Sequence, residues 1–257
     1  MRENRRAWED WGRVDPLWAV LTEPDGRNGN WDIDAFFDSG RRIVDALWEE
    51  GRRFGVPART VAGLDFGCGV GRLSRALAQH VQHVTGLDIA ESMVAEARSL
   101  NRAVAGCEFV VLRDDDLRAF ADGTFDVVLS LLALQHVPSA TGIETYLREF
   151  VRVLAPDGLL IFQLPTHVPP APARTWRSLL RPRTRLATTL RRLGVSPYWL
   201  YRRLGWTPAM PMTALSYERV LAVISAAGSR VLSSQETEPD HGGVESRYYH
   251  VTRAPAP

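Results

Sequence analysis

The sequence predicts an α/β fold built on a doubly wound, mostly parallel sheet, on three observations. Short apolar runs alternate with helical patterns through the middle of the chain. The runs "CEFVVL" (107–112), "FDVVLSLL" (125–132) and "GLLIFQL" (158–164) read as near-continuous apolar runs of strand length, as strands covered on both faces do. A glycine cluster also stands where the first run passes into the first helical pattern. With 257 residues, 45% hydrophobic and 24% charged, the chain suits one sizeable core, so residues 1–257 are read as a single domain.

Residues 1–55 read as a helical cap, in "WEDWGRVDPLWAVL" and "WDIDAFFDSGRRIVDALWEE". Its tryptophans, at 8, 11, 18, 31 and 48, have near-helical spacing and are read first as core. The first residues, "MRENRRAWEDWGRVD", are charged and hold no apolar leader, and no stretch approaches the roughly 18 apolar residues that span a bilayer. A cytoplasmic location is the resulting expectation.

Residues 56–165 read as the sheet core. "TVAGLDF" (60–66) is the first strand, and "GRLSRALAQH" is a helix with Leu73 and Leu77 one turn apart. "HVTGLD" (83–88) is the second strand, followed by a helix opening near Ser92 with Met93 and Ala97 inward. After the third and fourth strands, "YLREFVRVLAPDG" (146–158) reads as a helix stopped by Pro156 and Gly158 that feeds the fifth. Residues 166–215 read as an insertion rich in arginine, and 216–257 as a closing helix, "SYERVLAVISAAG", with an antiparallel hairpin as the last two of seven strands. The two cysteines, Cys68 and Cys107, make neither a disulfide framework nor a zinc site.

All 31 basic residues are arginine, and the net charge of +1 conceals an uneven distribution. No aspartate or glutamate occurs from Gly158 to Tyr217, a stretch with nine arginines, so the rest of the chain is net acidic.

The stretch "LDFGCGVGRLSRAL" (64–77) carries the chemistry. A tight strand-to-helix turn at the carboxyl edge of a parallel sheet lets backbone approach a ligand, and glycine permits that turn. A dinucleotide fingerprint would put its third glycine at Arg72; here the spacing is Gly-x-Gly-x-Gly, with Asp65 two residues ahead of Gly67. A carboxylate there suits an ammonium group better than a diphosphate. Asp88, 21 residues beyond Gly67 at the end of the second strand, suits ribose hydroxyls. The two acids together describe a nucleoside with an amino-acid tail.

Over roughly residues 30 to 165, "LDFGCGVGRLSRALA", "VTGLDIAESMVAEAR", "FDVVLSLLALQHV" and "YLREFVRVLAPDGLLIF" resemble, in this order, the successive motifs of class I S-adenosylmethionine-dependent methyltransferases, including the methyltransferase type 11/12-like group. The resemblance implies a Rossmann-like seven-stranded sheet, a helical lid after the fifth strand, S-adenosylmethionine as methyl donor and S-adenosylhomocysteine as product. It implies that Asp65, Gly67, Cys68 and Gly69 line the methionine end, that Asp88 holds the ribose, and that Ile89 and Met93 lie near the adenine. It implies an acid after the third strand against the adenine amino group: Asp114, Asp115 and Asp116 are on offer, Asp115 or Asp116 with Leu117 being preferred. Ser130 and Leu131 would face the sulfonium. Metal-dependent relatives carry an acid there, so no metal is expected. Asp126, at the start of its strand, is read as structural.

Methyl transfer is an in-line displacement that depends chiefly on orientation, although an oxygen acceptor benefits from a base. His136 in "LQHVP" and, second, His167 after the fifth strand are the candidates; His136 capping a turn or packing on the cofactor is the alternative. His80 and His83 read as exposed, without an accompanying carboxylate. Trp18, Phe37, Arg174, Trp176 and Tyr198 are the candidate acceptor-pocket residues. The arginine-rich segment admits four readings: a site for an anionic small molecule, a basic amphipathic surface for membrane contact through 174–206, an RNA grip, or a solvated helix face. The expected activity is methyl transfer to an oxygen, then a nitrogen, of a small molecule such as a secondary metabolite or sugar; an RNA methyltransferase and an enzyme of lipid-linked substrates are the alternatives.

Overall fold

The computed structural model describes residues 2–114, 116–169, 182–206, 210–238 and 243–254. Three helices open the chain: α1 (Arg2–Val14), α2 (Pro16–Val20) and α3 (Ile33–Arg53). There follow β1 (Ala62–Phe66), α4 (Arg72–Leu77), β2 (His83–Asp88), α5 (Glu91–Leu100), β3 (Cys107–Val111), β4 (Phe125–Ser130), α6 (Ala140–Val153) and β5 (Leu154–His167). The last part holds α7 (Pro182–Arg192), α8 (Pro197–Leu204), α9 (Tyr217–Ala226), β6 (Ser229–Glu236) and β7 (Glu245–Arg253).

The strands form one seven-stranded sheet in the order β3-β2-β1-β4-β5-β7-β6. The first five pair in parallel, and β7 lies antiparallel to both β5 and β6. Strand order therefore reverses between β1 and β4, the switch point at which an open α/β sheet leaves a crevice beyond its carboxyl edge. Ile143, Leu147 and Phe150 of α6, with Val220 and Ile224 of α9, bury one face of the sheet. Val44, Leu47 and Trp48 of α3, with Leu73 and Leu77 of α4, bury the other. The amino-terminal region is thus divided: α3 is a helix of the sheet sandwich, while α1 packs across α5. Gly12 permits that crossing, because a Cβ there would come within 2.2 Å of Ser92 Oγ.

Local chemistry sets the boundaries. Asp32, Ser139 and Ser216 cap α3, α6 and α9 by accepting from the backbone N–H groups of Ala35, Gly142 and Arg219. The helix expected to run to Pro156 ends at Val153, because Pro156 forces Ala155 toward extended backbone and Leu154 already pairs with Phe125 of β4. The carbonyl of Arg152 is taken by Gly123 N–H at 2.9 Å. Buried Asp126 accepts from the N–H groups of Val61 and Ala62 at 2.8 and 3.1 Å, tying the entry of β1 to β4. His80 differs from its expectation: its Nε2 meets Asp45 Oδ1 at 2.8 Å and its ring stacks on Trp48 at 4.7 Å.

Candidate active site

A cavity of about 360 Å³ opens at the carboxyl ends of β1, β2 and β4, beneath α1 and α2. Gly67 and Gly69 form its floor with φ of 76° and 53°. Side chains are excluded there on steric grounds too, since a Cβ would come within 2.2 Å of Ala133 Cβ at Gly67 and 2.5 Å of Val20 Cγ2 at Gly69. Gly71, with φ of 83°, packs instead against Asn101 and Phe109.

Asp88 lies in the cavity wall. Its Oδ2 accepts from Gly69 N–H and its Oδ1 from Ala90 N–H, both at 2.9 Å, so the carboxylate ties the glycine turn to the start of α5. Burial pushes its carboxyl up to about 6, against the opposing effect of those backbone donors; Glu9 of α1 adds to the rise. Glu9 itself crosses from α1 to accept from Glu91 N–H and, at 3.2 Å, Ser92 N–H, capping α5. Asp65 is buried behind the turn, its Oδ2 accepting from Ser74 Oγ at 2.6 Å while Oδ1 has no partner. Burial pushes Asp65 up to about 6 as well, with Ser74 and Arg72 pulling the other way.

Arg72 lines the same end of the cavity and is 4% exposed. Its Nη1 donates to Ser39 Oγ at 3.1 Å, its guanidinium lies 5.9 Å from the Phe36 ring centre, and its Nε has no partner. An incompletely satisfied buried carboxylate and an incompletely satisfied buried guanidinium at one end are complementary to the ammonium and carboxylate of an α-amino acid. The residues present therefore fit S-adenosylmethionine: orphaned Asp65 and Arg72 atoms for its amino-acid end, the glycine floor for close approach, and Asp88 for its ribose.

The opposite end is apolar. Trp8, Leu132, Val137, Tyr146, Met210 and Met212 form it, joined by His136 and Gln135. His136 Nδ1 donates to the Pro211 carbonyl at 3.2 Å; a carbonyl only accepts, so the proton sits on Nδ1 and Nε2 keeps its lone pair. Gln135 Nε2 lies 3.2 Å from that lone pair as donor. Trp8 packs edge-on against the imidazole at 4.9 Å, and Asn4 Nδ2 donates to the His136 carbonyl at 2.9 Å. Burial pulls the imidazole below its ordinary value, against the hydrogen bond to Pro211, so the ring stays neutral to lower pH.

Of the residues expected from sequence, Gly67, Cys68, Gly69, Asp88, Ile89, Leu131 and His136 meet in this wall. The Cys68 thiol is raised well above its ordinary value by burial and the nearby acids, and stays protonated. Others stand elsewhere for identifiable reasons. Met93 turns inward under α1 beside Trp11. Ser130 lies beneath the turn, donating to the Phe66 carbonyl at 3.2 Å. Leu117 is drawn into the core, its N–H donating to Glu149 at 3.1 Å, with Arg152 gripping its carbonyl at 2.9 Å. Asp116 folds back onto Arg118, at 3.0 Å to its N–H and 3.2 Å to its Nε. Trp18 packs on Trp11 at 5.2 Å and donates to the Glu23 carbonyl, and Phe37 lies under the Arg75 guanidinium at 4.6 Å; neither lines the cavity. His167, exposed at the end of β5, pairs with Glu245 of β7, away from the site. Tyr198 is on the outer surface of α8. Asp115, Arg174 and Trp176 lie outside the described residues. Sequence reasoning missed Arg72 as a ligand candidate, although its place where a third glycine would stand was a signal. It also missed Asn4, Gln135, Met210 and Met212, for which spacing offers none. Among the described residues no group of three or more His, Cys, Asp or Glu could hold a metal ion, and no helix is long and apolar enough to cross a membrane.

The seven-stranded sheet with its flanking helices has the Rossmann-like fold of class I S-adenosylmethionine-dependent methyltransferases. Residues 64–162 match the family described as methyltransferase domain. It is 36% identical over 129 residues to a 2-methyl-6-phytyl-1,4-hydroquinone methyltransferase of Synechocystis, covering 49% of this chain and 38% of that protein. It is also 36% identical over 110 residues to a ubiquinone biosynthesis O-methyltransferase of Xanthomonas oryzae, covering 42% of this chain and 44% of the relative. The match thus spans less than half the length of either relative. In three dimensions the chain is similar to a magnesium protoporphyrin IX methyltransferase from Synechocystis with bound S-adenosylhomocysteine, at a TM-score of 0.61, 20% identity and coverage of 98% and 100% of the two chains. It is similar to a [4+2]-cyclase at a TM-score of 0.62 and 16% identity, covering 98% and 97%. These two likenesses establish the fold alone.

Proposed function

We propose that the protein transfers the methyl group of S-adenosylmethionine to a hydroxyl of a small, largely apolar acceptor seated between Trp8, Tyr146 and the methionine wall. The observation that carries this reading is one cavity with two unlike ends: Asp88, the glycines and Arg72 at one, with Asp65 buried behind them, and an apolar chamber holding a neutral histidine at the other. S-adenosylmethionine supplies an electrophilic methyl on a sulfonium. The protein has to orient and desolvate the partners, which accounts for much of the acceleration such displacements need. His136 Nε2 would take the acceptor's hydroxyl proton, with Nδ1 anchored on Pro211 and Gln135 holding the lone pair in place beforehand.

An anionic acceptor bound by the lid arginines is not favoured by the described wall. Arg72 is its sole arginine, Arg191 is engaged with Asp10 at 2.7 Å, and Arg192, Arg202 and Arg203 are exposed. The apolar chamber and the quinol and ubiquinone-pathway names of the relatives favour a phenolic or quinol-like oxygen over an RNA base. The testing experiment incubates the protein with methyl-labelled S-adenosylmethionine and a panel of phenols, quinols, sugars, carboxylic acids and mixed RNA. Label in the phenol or quinol products is the expected result; label only in RNA or in the acids removes the reading.

The Asp65 and Arg72 end makes a separate prediction. Arg72→Met is expected to weaken binding of S-adenosylmethionine about ten- to hundredfold, the worth of a charge-assisted contact to a carboxylate. Decarboxylated S-adenosylmethionine, lacking that carboxylate, should bind wild type and variant alike in calorimetry. Equal losses for both ligands would deny Arg72 this role.

A further inference from the structure

The helical hairpin of α7 and α8 is anchored by one face. Ala187 and Leu200 are fully buried, Arg191 pairs with Asp10 of α1, and Tyr201 packs with the cap, where its Oη donates to Asp15 Oδ2 at 3.0 Å. The rest of the hairpin is unusual for a surface. Leu186, Leu193, Tyr198 and Trp199 are 52%, 76%, 50% and 46% exposed, and they are four of the seven large hydrophobic residues that stand exposed among the described residues. Leu186 and half-buried Leu190 of α7, and Leu193 in the turn just after it, follow at helical spacing. Arg192, Arg202 and Arg203 are exposed beside them, Arg202 lying 5.9 Å from the Tyr198 ring centre. No acid occurs anywhere from Gly158 to Tyr217 to neutralise them. Single exposed apolar residues are ordinary, but an apolar cluster flanked by uncompensated cations marks a binding surface.

We propose that this hairpin docks on an anionic lipid bilayer, the two leucines, Tyr198 and Trp199 entering the headgroup boundary while Arg192, Arg202 and Arg203 pair with lipid phosphates. Three physical arguments select this occupant. A second copy of the chain meeting the patch about a two-fold axis would set arginine against arginine with no acid in the segment to relieve them. RNA uses cations and aromatic faces but gains little from exposed leucines, which an acyl boundary rewards. Tryptophan and tyrosine favour the membrane interface, where an apolar ring and a polar edge are both satisfied. The hairpin also leads, through the segment after Leu204, to Met210 and Met212 of the cavity wall. Docking would therefore bring the apolar chamber close to a lipid-borne acceptor. The docking surface goes beyond the methyl-transfer reading and stands without it.

The test is flotation of the full chain with vesicles of phosphatidylcholine alone and of phosphatidylcholine mixed with phosphatidylglycerol, alongside thermal unfolding as a folding control. Binding to the anionic vesicles, much weakened on neutral ones and by salt, is expected. Each cation near an anionic leaflet contributes roughly fivefold, so the Arg192→Gln, Arg202→Gln, Arg203→Gln triple variant should lose about a hundredfold. Leu193→Asp with Trp199→Asp should lose at least about tenfold with an unchanged unfolding midpoint. No binding to anionic vesicles, equal binding by wild type and both variants, or tighter binding to mixed RNA than to vesicles would overturn the proposal. So would a dimer in light scattering that the double variant abolishes. Methyl transfer is not read in any arm, so failure here leaves the catalytic reading standing.

Discussion

Asp88→Ala is expected to weaken binding of S-adenosylhomocysteine by about a hundredfold or more, because charge-assisted hydrogen bonds to ribose hydroxyls contribute about 1.5–3 kcal/mol each. The loss exceeds the ribose contacts alone. Asp88 also accepts from Gly69 and Ala90 N–H groups, so alanine leaves the cofactor-approaching turn without its tie to α5. Asp88→Asn retains one acceptor oxygen and should lose about tenfold, half to a third of the larger free-energy change. The pH dependence adds an independent reading. Burial raises Asp65 and Asp88 from 3.8 to about 6, so between those values the folded free protein binds protons that the unfolded chain releases. Their contribution to stability is therefore present at low pH and is lost as pH rises toward 6. Ligand binding works in the opposite direction: an ammonium beside Asp65 and hydroxyls on Asp88 favour the ionised acids. Cofactor affinity should thus rise with pH up to about 6 and level off above it, and Asp88→Asn should flatten part of that rise. Calorimetric titrations across this range check both statements, and unchanged affinity in Asp88→Ala would sink the ribose assignment.

His136→Gln is expected to lower kcat by about two to four orders of magnitude on acceptors whose hydroxyl is protonated at neutral pH, the usual worth of a positioned base. Cofactor affinity should change little. Glutamine can still donate to the Pro211 carbonyl, so the wall around Trp8 and Met210 should hold its shape. An acceptor whose hydroxyl ionises below neutrality needs no base, and its turnover should be nearly indifferent to the substitution. Because burial lowers the imidazole, wild-type kcat should persist to below the ordinary histidine value before its acid limb appears, and the variant should lack that limb. A uniform drop on both kinds of acceptor, with the acid limb intact, would make His136 a packing residue.

The legible parts of this protein were the local ones. The parallel strands announced themselves as apolar runs, although β3 at the sheet edge buries only Phe109 and is not covered on both faces; Gly67, Gly69 and Asp88 could be read because a strand end, a tight turn and the next strand's last residue have fixed relations in a βαβ unit. The segment after β3 was opaque for the reverse reason. Arg152 and Glu149, a helix and more than thirty residues away, hold Leu117 in the core, which spacing within "LRDDDL" does not express. The apolar end was opaque because its parts come from opposite ends of the chain: Asn4 and Trp8 from α1, Tyr146 from α6, Met210 and Met212 from beyond the lid. Tryptophans at helical spacing look alike whether they fill a core, as Trp11 does, or wall a cavity, as Trp8 does. The lid arginines left four readings open for a simpler reason. Charge composition gives the number of cations but not their direction, and the described ones point to α1 or to the surface.

A fold of this kind does not by itself fix a reaction; the proposed transfer depends on how the two ends of the cavity face each other. A crystal structure of the protein with S-adenosylhomocysteine tests that most directly. The ribose hydroxyls should lie within hydrogen-bond distance of Asp88 and the carboxylate near Arg72, with the sulfur facing the chamber of Trp8, Tyr146 and His136. A nucleoside bound with its sulfur turned away from that chamber, or bound elsewhere on the chain, would contradict it.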